Sequence, residues 1–127
     1  MHYQIQLNPN AFVARPEMIV QYTTDTEQSW LRAGAEYAVQ AIYFDPDQGV
    51  RYRIISDDAA TPALFVASAF TVIDGRIPES WRAHAYSGGS FVVGPVAWQE
   101  PGFWERLFDG DTEARRLFDI NTIHILE

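Results

Sequence analysis

The sequence predicts an α+β fold. Antiparallel strands dominate and form a small barrel or sandwich, followed by one or two short helices and a final strand. Three observations carry this. Short runs of branched and aromatic residues, bounded by turn residues, recur at a spacing of about 8–12 residues. A hairpin with an unambiguous turn lies near the centre. Helical periodicity enters only after Pro101. The 127 residues are 47% hydrophobic and 14% aromatic, enough for a sizeable core. One domain over 1–127 is expected, with its barrel-like part at about 31–81 and its helical part at about 101–119.

Tyr3, Ile5 and Leu7 alternate with His2, Gln4 and Gln6, the period of a half-buried strand. Asn8-Pro9-Asn10 is a turn cluster that ends it. Met18 to Tyr22 is a short β-prone run, and the polar stretch 23–29 reads as a loop or a short helical turn. Tyr37 to Phe44 reads as one strand. Asp45-Pro46-Asp47-Gln48-Gly49 turns the chain, because proline presets φ and glycine admits positive φ. Val50 to Ile55 returns, with Val50, Tyr52 and Ile54 on one face and Arg51 and Arg53 on the other. A loop runs from Asp57 to Pro62. Leu64 to Val66 and Phe70 to Ile73 are two further strands, and Asp74-Gly75 turns the chain.

The pattern loosens after Ile77 to Trp81, and Gly88-Gly89 breaks it. Ser90 to Trp98 resumes as a strand interrupted by Gly94-Pro95, where proline argues for an edge position or a bulge. Phe103, Trp104, Leu107 and Phe108 then share one helical face. Asp111 is a candidate N-cap for a second helix over 112–119, with Glu113 in its first turn. Ala114, Leu117 and Phe118 form the apolar face of that helix, and Asn121 is its candidate end. Thr122 to Leu126 alternates again as a last strand.

Composition excludes several chemistries. All nine basic residues are arginine, against 17 acids, for a net charge of -8. The absence of lysine removes Schiff-base and phosphate-loop mechanisms. The absence of cysteine removes disulfides, thiol nucleophiles and thiolate metal sites. The acidic balance argues against a nucleic-acid partner. Arginine in place of lysine fits a GC-rich coding bias, or a need for bidentate contacts to carboxylates. Residues 1–63 hold eight acids and four arginines and residues 64–127 nine and five, so each half carries -4 and there is no acidic tail. No apolar run reaches the roughly 18 residues of a membrane span. The N-terminus lacks a secretory pattern, which makes the cytoplasm the expected compartment.

Motifs for catalysis or metal binding fall short. Asp45-x-Asp47-x-Gly49 and Asp109-x-Asp111-x-Glu113 lack the glycine and the terminal glutamate of a calcium loop. His2, His84 and His124 have no helical pairing for zinc. Gly88-Gly89-Ser90 does not match a nucleophile elbow, since Val92 stands where glycine is needed. Asp57-Asp58 is the one adjacent acid pair, a possible acid–base couple but more simply a turn. Neither a catalytic residue, a metal site nor a cofactor is expected. Trp98 and Trp104 flank a Pro-Gly bend, and either would anchor a partner if exposed.

The segment Leu31-x-x-Gly34-x-x-Tyr37-x-Val39, Tyr52-Arg53-Ile54-Ile55-x-Asp57, Thr61-Pro62-x-Leu64-Phe65, Phe70-x-Val72 and Ile77-Pro78-x-x-Trp81 resembles small bacterial proteins with an SH3-like barrel. Some of these are immunity proteins of polymorphic toxin systems. The resemblance covers residues 31–81 and rests on framework residues. The tail from Pro101 to Asp119 is similar to helical ends in the same group. The resemblance implies the barrel and a binding role, with no catalytic motif to carry over.

Three functions follow as expectations. The first is a non-catalytic protein-binding domain, in concrete form an immunity protein that neutralises a cationic toxin. Opposite charge speeds such encounters. Its contact residues would be Asp45, Asp47, Asp57 and Asp58, with Trp98 or Trp104 as anchor. The second is a small-molecule-binding or enzymatic domain with a barrel mouth lined by Tyr43, Tyr52, Phe65 and Trp81. The third is an oligomer-forming module, such as a homodimer.

Overall fold

A computed structural model describes residues 4–5, 18–24, 30–57, 62–123 and 125–126. The centre of the fold is the hairpin of β4 (Ala41–Asp45) and β5 (Gly49–Ile55). Its turn forms as the sequence requires: Asp45 Oδ1 accepts from the amides of Asp47 and Gln48 at 2.8 and 3.1 Å, and Gly49 adopts φ 74°. Both strands gain further partners. β6 (Pro62–Val66) pairs with β5, β9 (Phe91–Gly94) with β4, and β8 (Arg82–Ala85) with β9. The result is a five-stranded antiparallel sheet in the order β6-β5-β4-β9-β8.

A second sheet has the order β3-β2-β7, from β2 (Ile19–Tyr22), β3 (Glu36–Ala38) and β7 (Phe70–Asp74). β1 (Gln4–Ile5) pairs with β10 (Ile125–Leu126), so two segments far apart in sequence meet. The polar stretch 25–29 and the turn cluster Asn8-Pro9-Asn10 lie outside the described residues.

The predicted strand from Tyr37 to Phe44 is in fact two strands in two sheets. The Val39 amide donates to Met18 O beside β2, and the next amide, Gln40, donates to Arg53 O on β5, both at 2.8 Å. Consecutive amides thus serve different sheets. Gln40 is buried, yet its side chain is satisfied: Nε2 donates to Ile123 O at 2.7 Å and Oε1 accepts from Ile123 N at 3.0 Å.

The two sheets share one core. Val20, Tyr22, Tyr37, Val39 and Phe70 from the smaller sheet region meet Tyr52 and Ile54 from the larger, with Leu31 and Trp81. Phe70 joins the sheets through ring contacts to Tyr22 and Tyr52, with centroids 5.4 and 5.9 Å apart. Each such side chain contributes roughly 1.5–3 kcal/mol by burial. The hydrogen-bonded ladders of the described residues do not close into a barrel; the expected barrel is an open pair of sheets.

The opposite face of the five-stranded sheet carries the helical layer, so β5 is covered on both sides. α1 (Phe103–Phe108) buries Phe103 and Leu107, and α2 (Thr112–Asn121) buries Ala114 and Phe118. These pack with Trp98, and Ile55 of β5 joins from the sheet. Asp111 caps α2, its side chain accepting from the Ala114 amide at 2.9 Å. Phe108 departs from the predicted apolar face and is 57% exposed, because the six-residue helix presents only its i, i+4 pair to the core.

Two further differences have local causes. The segment after Phe91 is not a strand to Trp98: it ends at Gly94, and Val96–Gln99 form a short 3-10 turn after Pro95. Nor is it an edge, since β9 lies between β4 and β8. β8 has no counterpart in the sequence reading because all four of its side chains are exposed and leave no alternation. No helix among the described residues is long and apolar enough to cross a membrane.

Candidate functional site

Alternation fixes which side chains look toward the helices. The register Tyr43↔Arg51, Ala41↔Arg53, Tyr43↔Val92 and His84↔Val92 places Tyr43, Arg51, Arg53, Val92 and His84 on the helical side of the large sheet. Between this surface and the segment leading into α1 lies a cleft of about 340 Å³. Its floor includes Ala41, Tyr43, Val92 and His84, its far wall Trp98, Phe103 and Trp104, and its rim Tyr86, Glu100 and Glu105.

The local sequence builds this cleft. Gly94 ends β9 close against β4 in the floor: a Cβ there would meet Ala41 Cβ at 2.9 Å. Pro95 ends β9 and starts the 3-10 turn. Gln99 pins that turn to the sheet, its Nε2 donating to Arg82 O at 2.8 Å and Gly94 O at 3.1 Å. Gly102, at φ 79°, redirects the chain into α1. Trp98 is held by its indole N–H to Leu117 O at 3.3 Å and by stacking on Phe118 at 5.2 Å. Trp104 meets Trp98 edge-on at 5.6 Å. The His84 and Tyr86 rings lie 4.5 Å apart.

Arg53 reaches Trp104 from below. Its guanidinium carbon sits 3.8 Å from the Trp104 centroid and 4.8 Å from that of Tyr43. Its Nε donates to Tyr43 Oη at 3.0 Å. Arg53 is only 8% exposed. Burial lowers its pKa from the usual arginine value, the tyrosine contacts oppose that shift, and neighbouring Arg51 adds to it. Arginine nonetheless stays charged at physiological pH.

The residues singled out from sequence are not brought together. Asp45 and Asp47 lie at the hairpin tip, and Asp57 lies beyond the other end of β5. A seven-residue strand separates them by about 20 Å. Asp45 is spent on its turn. Asp57 accepts from Tyr37 Oη at 2.9 Å and pairs with Arg32 at 3.1 Å. Burial raises the Tyr37 pKa, with smaller contributions from its neighbours. Asp58 lies outside the described residues. Trp98 is buried, 3% exposed, while Trp104 is half-buried at the cleft.

The expected barrel mouth also divides. Tyr52 pairs with Phe65, and both pack with Trp81 in the core between the sheets, while Tyr43 faces the helices. The sequence does not single out Glu100, Glu105 or Tyr86, and it offers His84 only as a histidine without a zinc-binding partner. Among the described residues no cluster of histidine and acidic side chains has the arrangement of a metal site. Comparison with protein-family models, curated proteins and solved structures finds no match for this chain.

Proposed function

We propose that this chain is a non-catalytic protein-binding domain that takes a basic side chain of a protein partner into the cleft beside α1. The supporting observation is the lining: the Tyr86 ring beside Glu100 and Glu105 at the rim, with Tyr43 and Trp104 deeper, where Arg53 shows that their faces accept a cation. Aromatic faces attract a cation by about 0.5–2 kcal/mol, more as it is desolvated. The two carboxylates supply the opposite charge, and the overall charge of -8 steers a cationic partner inward. In its most concrete form the partner is a cationic bacterial toxin and the chain its cytoplasmic immunity protein. The anchoring role moves from Trp98 to Trp104 and its neighbours.

The test is calorimetric titration of the purified chain with the product of the adjacent gene, at two salt concentrations. The expected result is a complex that weakens with salt and loses about tenfold in affinity when Glu100→Gln and Glu105→Gln are combined, equivalent to about 1.4 kcal/mol. Absence of a complex, with no protection of cells expressing that product, would overturn the proposal. The cleft volume also lies within the range of small-molecule sites. A thermal-shift response to a small organic cation, without any protein complex, would favour that second reading.

A further inference from the structure

The arginines divide into two groups. Arg32, Arg76, Arg115 and Arg116 each pair with a carboxylate within 3.1 Å. Among the described residues Arg82, Arg106, Arg51 and Arg53 do not, although the chain carries 17 acids; Arg82 and Arg106 are exposed, whereas Arg51 and Arg53 are not. They stand two residues apart on the helix-facing side of β5, and neither forms an ion pair among the described residues. Arg53 is more than nine-tenths buried, and the one hydrogen bond of its side chain among the described residues is from Nε to Tyr43 Oη. Arg51 Nε is buried with no hydrogen-bond partner among the described residues.

Such an arrangement calls for a physical account. Buried donors are nearly always satisfied, and a charged donor costs more than a neutral one to leave unpaired. Two guanidinium groups side by side also repel. Stacking on Trp104 and Tyr43 offsets part of the cost for Arg53 but supplies no negative charge. What the pair lacks is an acceptor with at least two oxygens and a negative charge, the geometry that a guanidinium fork matches best.

We infer that Arg51 and Arg53 form a binding site for an oxyanion, a carboxylate or phosphate group of another molecule. Tyr43 positions Arg53 by holding its Nε, and Trp104 keeps the guanidinium plane fixed. The half-buried Arg51 is the more accessible member and forms the entrance. This site adjoins the cleft proposed for a cation, since Tyr43 and Trp104 line that cleft and also contact Arg53, but neither Arg51 nor Arg53 belongs to the cleft lining. Free oxyanions probe it without any protein partner, so its failure and the failure of that reading are distinguishable.

Titration of the whole protein with inorganic phosphate, malonate and chloride, at constant ionic strength, tests it. Tryptophan emission and the thermal midpoint are the two readouts, since Trp104 lies against Arg53. A saturable change in both with phosphate or malonate, and none with chloride, is the expected result. Response to phosphate alone assigns a tetrahedral ligand, and response to malonate alone assigns a carboxylate. Arg51→Lys should weaken the response about tenfold, because the ammonium cannot reproduce the two-point fork. Arg51→Gln should abolish it. The inference is overturned if the natural protein gives no saturable response to either oxyanion, or if the response survives Arg51→Gln unchanged. Should Arg51→Gln fail to fold, the natural protein and Arg51→Lys still decide the matter.

Discussion

The two faces of the five-stranded sheet bury side chains of opposite character. Toward the smaller sheet, Tyr52 and Ile54 join an apolar cluster with aliphatic and aromatic neighbours. Toward the helices, the same strand sends Arg51 and Arg53, with Arg53 stacked against Tyr43 and Trp104. Desolvation acts on both faces. It raises the Tyr52 pKa and lowers that of Arg53, in each case resisting the charged form. The consequence differs. Tyrosine is already neutral at pH 7, so its burial leaves no charge to compensate. Arginine remains a cation, so its burial leaves a demand that stacking meets only in part. The first face is a core; the second is where a charged ligand has something to satisfy.

If that contrast is physical, the layers should differ in how they respond to damage. The largest effect is expected from Phe118→Ala. Phe118 is almost fully buried and stacks on Trp98, and removing such a ring costs about 3–5 kcal/mol. Denaturant unfolding gives the total, and amide hydrogen exchange gives its location. We expect protection to fall in α1 and α2 while the strands between the sheets keep theirs. Equal loss in β2 and β5 would break the comparison by making the two layers one cooperative unit.

A smaller loss is expected from Gly94→Val, about 1–3 kcal/mol, because the new side chain must displace Ala41 at the cleft floor. The variant should fold, widen the approach of the 3-10 turn to the sheet and weaken partner binding at the cleft. Unchanged binding alongside the stability loss would show that the cleft geometry does not govern recognition.

Much of this was legible in the sequence, and the exceptions have reasons. The hairpin, the α2 cap and the helical apolar residues depend on local chemistry: Pro46 and Gly49 in the turn, Asp111 before Thr112. The division at Val39–Gln40 was invisible because both flanking runs are apolar and the cause, hydrogen bonds to Met18 and Arg53, is nonlocal. β8 had no pattern to read, being exposed on both faces. The placement of Tyr43 was within reach. Pairing Asp45 with Gly49 across the turn puts Tyr43 opposite Arg51, on the arginine face and away from Tyr52. The remaining cleft residues come from separate segments, and only the Gly94-Pro95 break hinted that the chain turns there.

The smallest expected effect separates the two faces most cleanly, because it depends on ionisation rather than volume. The Tyr52 hydroxyl forms no hydrogen bond among the described residues, and burial alone raises its pKa above the ordinary value of 10.0. In the unfolded chain the hydroxyl ionises near that ordinary value, while in the folded chain it holds its proton longer. Between the two values the unfolded state binds fewer protons, so stability falls as pH rises. The contribution is fully present below about pH 10 and is lost as pH climbs through the folded value. Tyr52→Phe should therefore leave stability near pH 7 almost unchanged, since the ring and its contact with Phe70 remain. Above pH 10 the variant should lose less stability than the natural protein, measured by urea unfolding across the alkaline range. Parallel curves for the two proteins would mean that the Tyr52 hydroxyl meets solvent in the folded state, and that the face opposite the arginines is not the dry core its packing describes.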